Sequence, residues 1–190
     1  MTKTHDLTTG SLAGHFLRLA VPAAIGMVFS TLYNVVDVFF AGLISTDAQA
    51  GLAISFQAFF VFVTIGFGLG SAMTALVGNA IGAKNTADAS KIAMQGIGFA
   101  ILASALLIIM ALVLGPHLLA FISTEGAYRD AGTAYFTILL FSLPGFVMGY
   151  GLNGLLQARG DTVSMQYALI GAFFANIGLN PLMMFGIPGI

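Results

Sequence analysis

Five long apolar runs, separated by short polar breaks, decide what this sequence can fold into. They extend over residues 16–43, 52–81, 92–114, 134–156 and 163–185. Each has at least the roughly 20 residues that a helix needs to cross about 30 Å of hydrocarbon. Lys, Arg, Asp and Glu together make up 7% of the 190 residues, against about 25% in an ordinary soluble domain. That is too few to coat a globular core with charge. In lipid the backbone must satisfy its own polar groups, which leaves helices and closed barrels. The runs are far longer and more uniform than the ten-residue alternating segments of a barrel. The chain is therefore read as an all-α membrane protein, a bundle of about five transmembrane helices over residues 16–190 behind a cytoplasmic segment, residues 1–15. Six basic against seven acidic residues give no field for nucleic acid. With no cysteine there is no disulfide framework and no thiolate metal site.

Orientation follows from the basic residues. With the N-terminus in the cytoplasm, Lys3, Arg18, Lys84, Lys91 and Arg159 fall on the inner side and Arg129 alone on the outer. The expected location is the plasma membrane, the inner membrane in a Gram-negative cell. The final residues, Gly186-Ile-Pro-Gly-Ile190, read as a turn leading into a further helix, so the chain is expected to be a piece of a larger protein.

Small and polar residues mark particular helix faces. In the second run Gly66, Gly70, Thr74, Gly78 and Gly82 recur every fourth place, and Gly145, Gly149 and Asn153 repeat the idea in the fourth. Such stripes let neighbouring backbones approach closely. In the first run Gly26, Ser30, Tyr33, Asn34, Asp37 and Ala41 form one small or polar stripe, with Val28, Phe29, Leu32, Val35, Val36, Phe39 and Phe40 opposite. Asp37 is the one acid well inside any run. A charge at the bilayer centre costs about 2.5–3.5 kcal/mol on insertion scales, so it is expected to face protein or water and to have a function. No Lys or Arg sits at matching depth, so no salt bridge is evident; Asp37 reads either as a functional carboxylate or as a structural lock hydrogen-bonded to Tyr33, Asn34 or a neighbouring helix. The fifth run adds Asn176 and Asn180, one turn apart on one face, followed by Pro181, which frees a carbonyl one turn earlier. Freed carbonyls in bent helices build cation and substrate sites in transporters. Pro22 and Pro144 are further candidates for bending, and the third run is expected to end at Gly115-Pro116. His5, His15 and His117 are scattered, so no metal site is expected, and no nucleotide loop or hydrolase motif points to an enzyme.

The chain resembles the multidrug and toxic compound extrusion (MATE) family of transporters. The resemblance is carried by Leu19-Ala-Val-Pro22, by Asn34-Val-Val-Asp37-Val-Phe-Phe-Ala-Gly42, by Gly66-Phe-Gly-Leu-Gly70-Ser-Ala running on to Ile81-Gly-Ala-Lys84-Asn, by Gln157-Ala-Arg-Gly160-Asp161-Thr and by Asn176-Ile-Gly-Leu-Asn180-Pro181. It implies a fold of two six-helix lobes, of which this chain would be the N-terminal lobe without its sixth helix, and a C-terminal lobe as partner. It also implies export of small organic, often cationic compounds in exchange for a coupling ion, H+ or Na+, with no other cofactor. On that resemblance Asp37 carries the coupling cation, Tyr33, Asn34, Asn176 and Asn180 shape the cation and substrate pocket, and the first helix bends near Pro22. Family members can carry an aspartate where Asn180 stands, so here any coupling would rest on Asp37 alone. Two rivals are a lipid-linked oligosaccharide flippase, which would want basic residues inside its spans, and a membrane assembly or regulatory subunit that transports nothing itself.

Overall fold

The structure, a computed structural model, describes residues 11–186. Lys3, His5 and residues 187–190 lie outside the described residues, as do the side chains of His15 and Arg18. Among the described residues six helices follow one another: α1 (Leu12–Ile44), α2 (Thr46–Gly82), α3 (Thr86–Ile122), α4 (Ala127–Leu139), α5 (Leu143–Ala158) and α6 (Ser164–Phe185), with a 3₁₀ turn at Leu140–Ser142 joining α4 to α5. Five stretches are long and apolar enough to span a bilayer, the fourth being α4, the turn and α5 taken together as Ala127–Ala158. The protein is all-α, with no strand among the described residues.

Several helices outrun the apolar runs, each for a local reason. The polar cluster Ser45-Thr46-Asp47, which breaks the hydrophobic pattern, is no loop. Ser45 is the N-cap of α2, its Oγ accepting the Ala48 N–H at 3.0 Å, and Asp47 in the first turn faces the positive end of the helix dipole. Asn85 caps α3 in the same way, accepting the Asp88 N–H at 3.1 Å. Contrary to expectation, α3 does not stop at Pro116 but continues to Ile122. The proline removes one N–H, and the His117 ring, with Nδ1 3.0 Å from the Val113 carbonyl, occupies the disturbed turn. Leu119, buried among core residues, rewards the extra turns. In the fourth span the α-helix is interrupted at Leu140–Ser142, just before Pro144 in the first turn of α5. The Ser142 hydroxyl donates to the Leu139 carbonyl there at 2.6 Å.

The helices sort into two compact units, residues 44–159 in one and the two ends of the chain in the other. In the first unit α2 is the hub, packed on α3, α4 and α5. Phe59, Phe62, Val63, Leu107, Ala111, Phe136, Leu140, Leu143 and Val147 make its core. The glycine stripe of α2 does bring a neighbour close: at Gly70 a Cβ would lie 2.7 Å from the Tyr150 carbonyl oxygen, whereas at Gly82 it would meet nothing within 4 Å. On α5 the stripe is a different one from that expected. Gly145 and Gly149 face open space, and Gly151 and Gly154 are the residues set against α2, because Leu143, Val147, Gly151 and Gly154 share the buried face. Two hydroxyls stitch across the close approaches. Thr74 Oγ1 donates to Gly70 at 2.9 Å and to Gly154 at 3.2 Å, and Ser55 Oγ to Gly51 at 2.6 Å and to Gly132 at 2.7 Å.

The second unit consists of α1 and α6. Gly26 meets Gln166, Phe29 meets Phe173, Asp37 meets Asn176 and Asn180, and Phe40 meets Phe185. Residue numbers rise together along both helices, so the pair is parallel, as first and fifth spans of an alternating bundle must be. The face that α1 gives to α6 is rotated from the expected stripe. Gly26, Asp37 and Ala41 are buried, but Ser30, Tyr33 and Asn34 are exposed. Phe29 and Phe40, expected on the opposite face, pack on Phe173 at 5.4 Å and on Phe185 at 6.5 Å between ring centroids.

Candidate functional site: a carboxylate held by two amides

Asp37 lies seven residues before the end of α1, about 10 Å along the axis, and keeps 9% of its surface exposed. Asn176 of α6, 7% exposed, donates from Nδ2 to Asp37 Oδ1 at 2.8 Å, and Asn180 Nδ2 donates to the same oxygen at 2.8 Å. The second hydrogen of Asn180 Nδ2 reaches Asn176 Oδ1 at 3.2 Å. The four-residue step from Asn176 to Asn180 places both amides on one face of α6, and this step makes the double clamp possible. Bonds from N–H to a charged oxygen are among the stronger hydrogen bonds, and two of them fix the plane of the carboxylate. Among the described residues the hydrogen bonds to Asp37 fall on Oδ1, leaving Oδ2 as an acceptor. The ion pair among the described residues, Arg129 with Glu125 at 3.9 Å, does not involve Asp37, so this is a buried carboxyl group held by neutral amides.

Asp37, Asn176 and Asn180 are thus brought together. Tyr33 and Asn34 are not: Asn34 Nδ2 donates to its own helix, at the Ser30 carbonyl, at 2.8 Å, and Tyr33 is 37% exposed. Pro22 sits inside a continuous α1. Pro181 lies within α6 one residue after Asn180 and withholds a donor from the Ile177 carbonyl.

The loop before α6 shows what Gly160-Asp161-Thr accomplishes. Gly160 takes φ +76°, which only glycine adopts without strain. Asp161 then receives the N–H groups of Val163 at 3.1 Å and Ser164 at 2.9 Å and the Ser164 hydroxyl at 2.6 Å. Those bonds, the Ser164 hydroxyl foremost, hold its carboxyl below the usual carboxylate range. The residue anchors the start of the helix that carries the two clamping amides.

One polar feature escapes a reading of the sequence. In the larger unit a cavity of about 470 Å³ opens between α2 and α5, lined by Phe67, Ser71, Thr74, Tyr150, Asn153 and Gln157 among others. Phe67 and Tyr150 stack with centroids 4.1 Å apart at its edge. The three- and four-residue steps from Tyr150 to Asn153 to Gln157 mark this face, but with Gly149 alongside they pass for packing.

A family model described as MatE matches residues 22–182. The probable multidrug resistance protein YoeA of Bacillus subtilis is 25% identical over 170 residues, covering 89% of this chain and 37% of the relative. The probable multidrug resistance protein NorM of Thermotoga maritima is 26% identical over 170 residues, covering 90% and 37%. A Shewanella oneidensis protein named as an FAD transporter is 24% identical over 196 residues, covering 98% and 41%. Among solved structures, a MOP superfamily transporter from Pyrococcus furiosus matches with a TM-score of 0.88 at 23% identity, over 100% of this chain and 42% of that one. A MATE structure in the bent conformation matches at 0.86 and 24%, over 98% and 42%. The chain spans about two fifths of the length of the relatives it matches.

Proposed function

Because the chain belongs to the MatE family of membrane transporters, we propose that it forms the N-terminal lobe of a secondary multidrug exporter. It works with a second lobe and exchanges small organic cations for H+ or Na+. The observation that carries this reading is the Asp37 carboxylate, buried and clamped on one oxygen by Asn176 and Asn180 with the other left to accept. A cation taken up at Oδ2 gives the lobe two states of different charge, and a gradient can do work only where two states differ in affinity for the ion. Tyr33 and Asn34, exposed on α1, would meet substrate rather than the ion, and bending of α1 near Pro22 would link the two events. The N-terminus faces the cytoplasm, in the plasma membrane or the inner membrane of a Gram-negative cell.

A cationic substrate is favoured over a phosphate-bearing one by charge. Lys84 precedes α3, Lys91 stands in its second turn, Arg129 lies in the first turn of α4 and Arg159 follows α5, so among the described residues the middle of the spans offers no Lys or Arg to a diphosphate. The test is binding of a fluorescent organic cation to the purified chain in nanodiscs, followed by gradient-driven efflux once the lobe is paired with its second. Asp37→Asn should leave dye binding in place but remove its dependence on pH or Na+, and should abolish efflux. Full ion dependence in that variant would remove Asp37 from the mechanism.

A further inference from the structure

The two ends of the α1–α6 pair are built on opposite terms. At one end every amide hydrogen aimed at Asp37 has its acceptor. At the other, the Gln166 side chain, from the first turn of α6, lies where Gly26 of α1 has no side chain. A methyl group at Gly26 would overlap Gln166 Oε1 and Cδ and lie 3.3 Å from Nε2. The carboxamide is seated in a glycine notch, and its oxygen is buried there without a hydrogen-bond partner among the described residues. Among the described residues no donor on α1 is bonded to that oxygen. The interior N–H groups of α1 are spent on carbonyls one turn earlier, Pro22 has none, and Val21, Ile25 and Met27 are apolar. A buried acceptor left unmet weighs against the packed state by roughly five- to a hundredfold in the equilibrium constant.

We infer that Gln166 is the release element of this helix pair, a seated carboxamide whose unmet oxygen biases the Gly26 end towards parting while the Asp37 end stays hydrogen-bonded. Parting at that end frees Oε1 to accept from water or from a donor on a passing ligand, and the clamp at Asp37 becomes the pivot. The inference concerns the pair alone and does not depend on whether Asp37 takes up a coupling ion.

The chain has no cysteine, so nitroxide labels can be placed on Met27→Cys and Tyr167→Cys, positions 73% and 70% exposed. Double electron–electron resonance on the chain in nanodiscs then reads the separation at the Gly26 end. A second pair, Phe39→Cys with Met183→Cys, positions 60% and 81% exposed, reads the Asp37 end. The expected result is a longer-distance component at the first pair that shrinks about fivefold or more on Gln166→Leu, which fills the notch and deletes the oxygen. The second pair should not change. Gln166→Met, unbranched and close in length, is the companion variant should leucine disturb insertion. The inference is overturned if the longer-distance component is absent at the outset, if it is unchanged or larger in the substituted protein, or if both label pairs shift together.

Discussion

Substituting Gly154 by alanine tests the packing of α2 on α5 directly. The new methyl group would fall on the Gly70 carbonyl oxygen and lie 3.0 and 3.1 Å from that residue's carbonyl carbon and α-carbon. All three are backbone atoms of a packed helix, so no side chain can swing aside. Carbon atoms in contact normally sit about 3.5–4.0 Å apart, so α2 and α5 must part by up to about 1 Å. Overpacking of this kind costs about 1–3 kcal/mol. Loss of the Thr74 bond to the Gly154 carbonyl adds about 0.6 kcal/mol, the average for a hydrogen bond between membrane helices. Alanine's better helix propensity returns up to about 1 kcal/mol. Gly149→Ala collects that propensity gain against open space, since nothing lies within 4 Å of its Cβ. Loss of helical circular dichroism in mixed micelles of rising denaturing detergent should therefore place Gly154→Ala about 1–3 kcal/mol below the parent and Gly149→Ala level with it or above. Equal midpoints for the two variants would refute the glycine contact.

Asn176→Ala removes a buried donor from a charged oxygen and should destabilise the protein by about 1.5–3 kcal/mol, seen in the same unfolding series, with Asn180→Ala costing less because that residue is less buried. Ser55→Ala leaves the Gly132 carbonyl without its cross-helix hydroxyl and should cost about 0.6 kcal/mol, while Thr64→Ala, whose hydroxyl bonds within its own helix to Val61, should cost less. The depressed Asp161 carboxyl contributes stability that is present above the usual carboxylate range and is lost as pH falls through its lowered folded value. Hydrogen exchange at Val163 and Ser164, corrected for intrinsic rate, should accelerate over that acid window, and Asp161→Ala should show the fast exchange already at neutral pH.

The spans were legible because a long apolar run has few alternatives, and the residues that came together at Asp37 were legible because polar groups at that depth are rare. Which way α1 faces was not. In a soluble helix the apolar side marks the interior, but a membrane helix is apolar all round, so Phe29 and Phe40 carried no mark to show that they pack on α6 while Ser30 and Asn34 do not. The same ambiguity hid Gly151 and Gly154 behind Gly145 and Gly149. Helix ends were misjudged where a polar residue acts as a cap, as at Ser45, or where a proline is tolerated, as at Pro116. The Gln166–Gly26 contact joins residues far apart in sequence and has no local pattern.

The pairing of α1 with α6 also governs the order of assembly. The Asp37–Asn176 contact links residues 139 positions apart, with the whole of the other unit made in between. At about 5–20 residues per second, the ribosome needs roughly 7–28 s after making Asp37 to deliver the amides that hold it. Through that interval α1 carries an acid at membrane depth without the amides of α6, and the clamp can close only once α6 has been made.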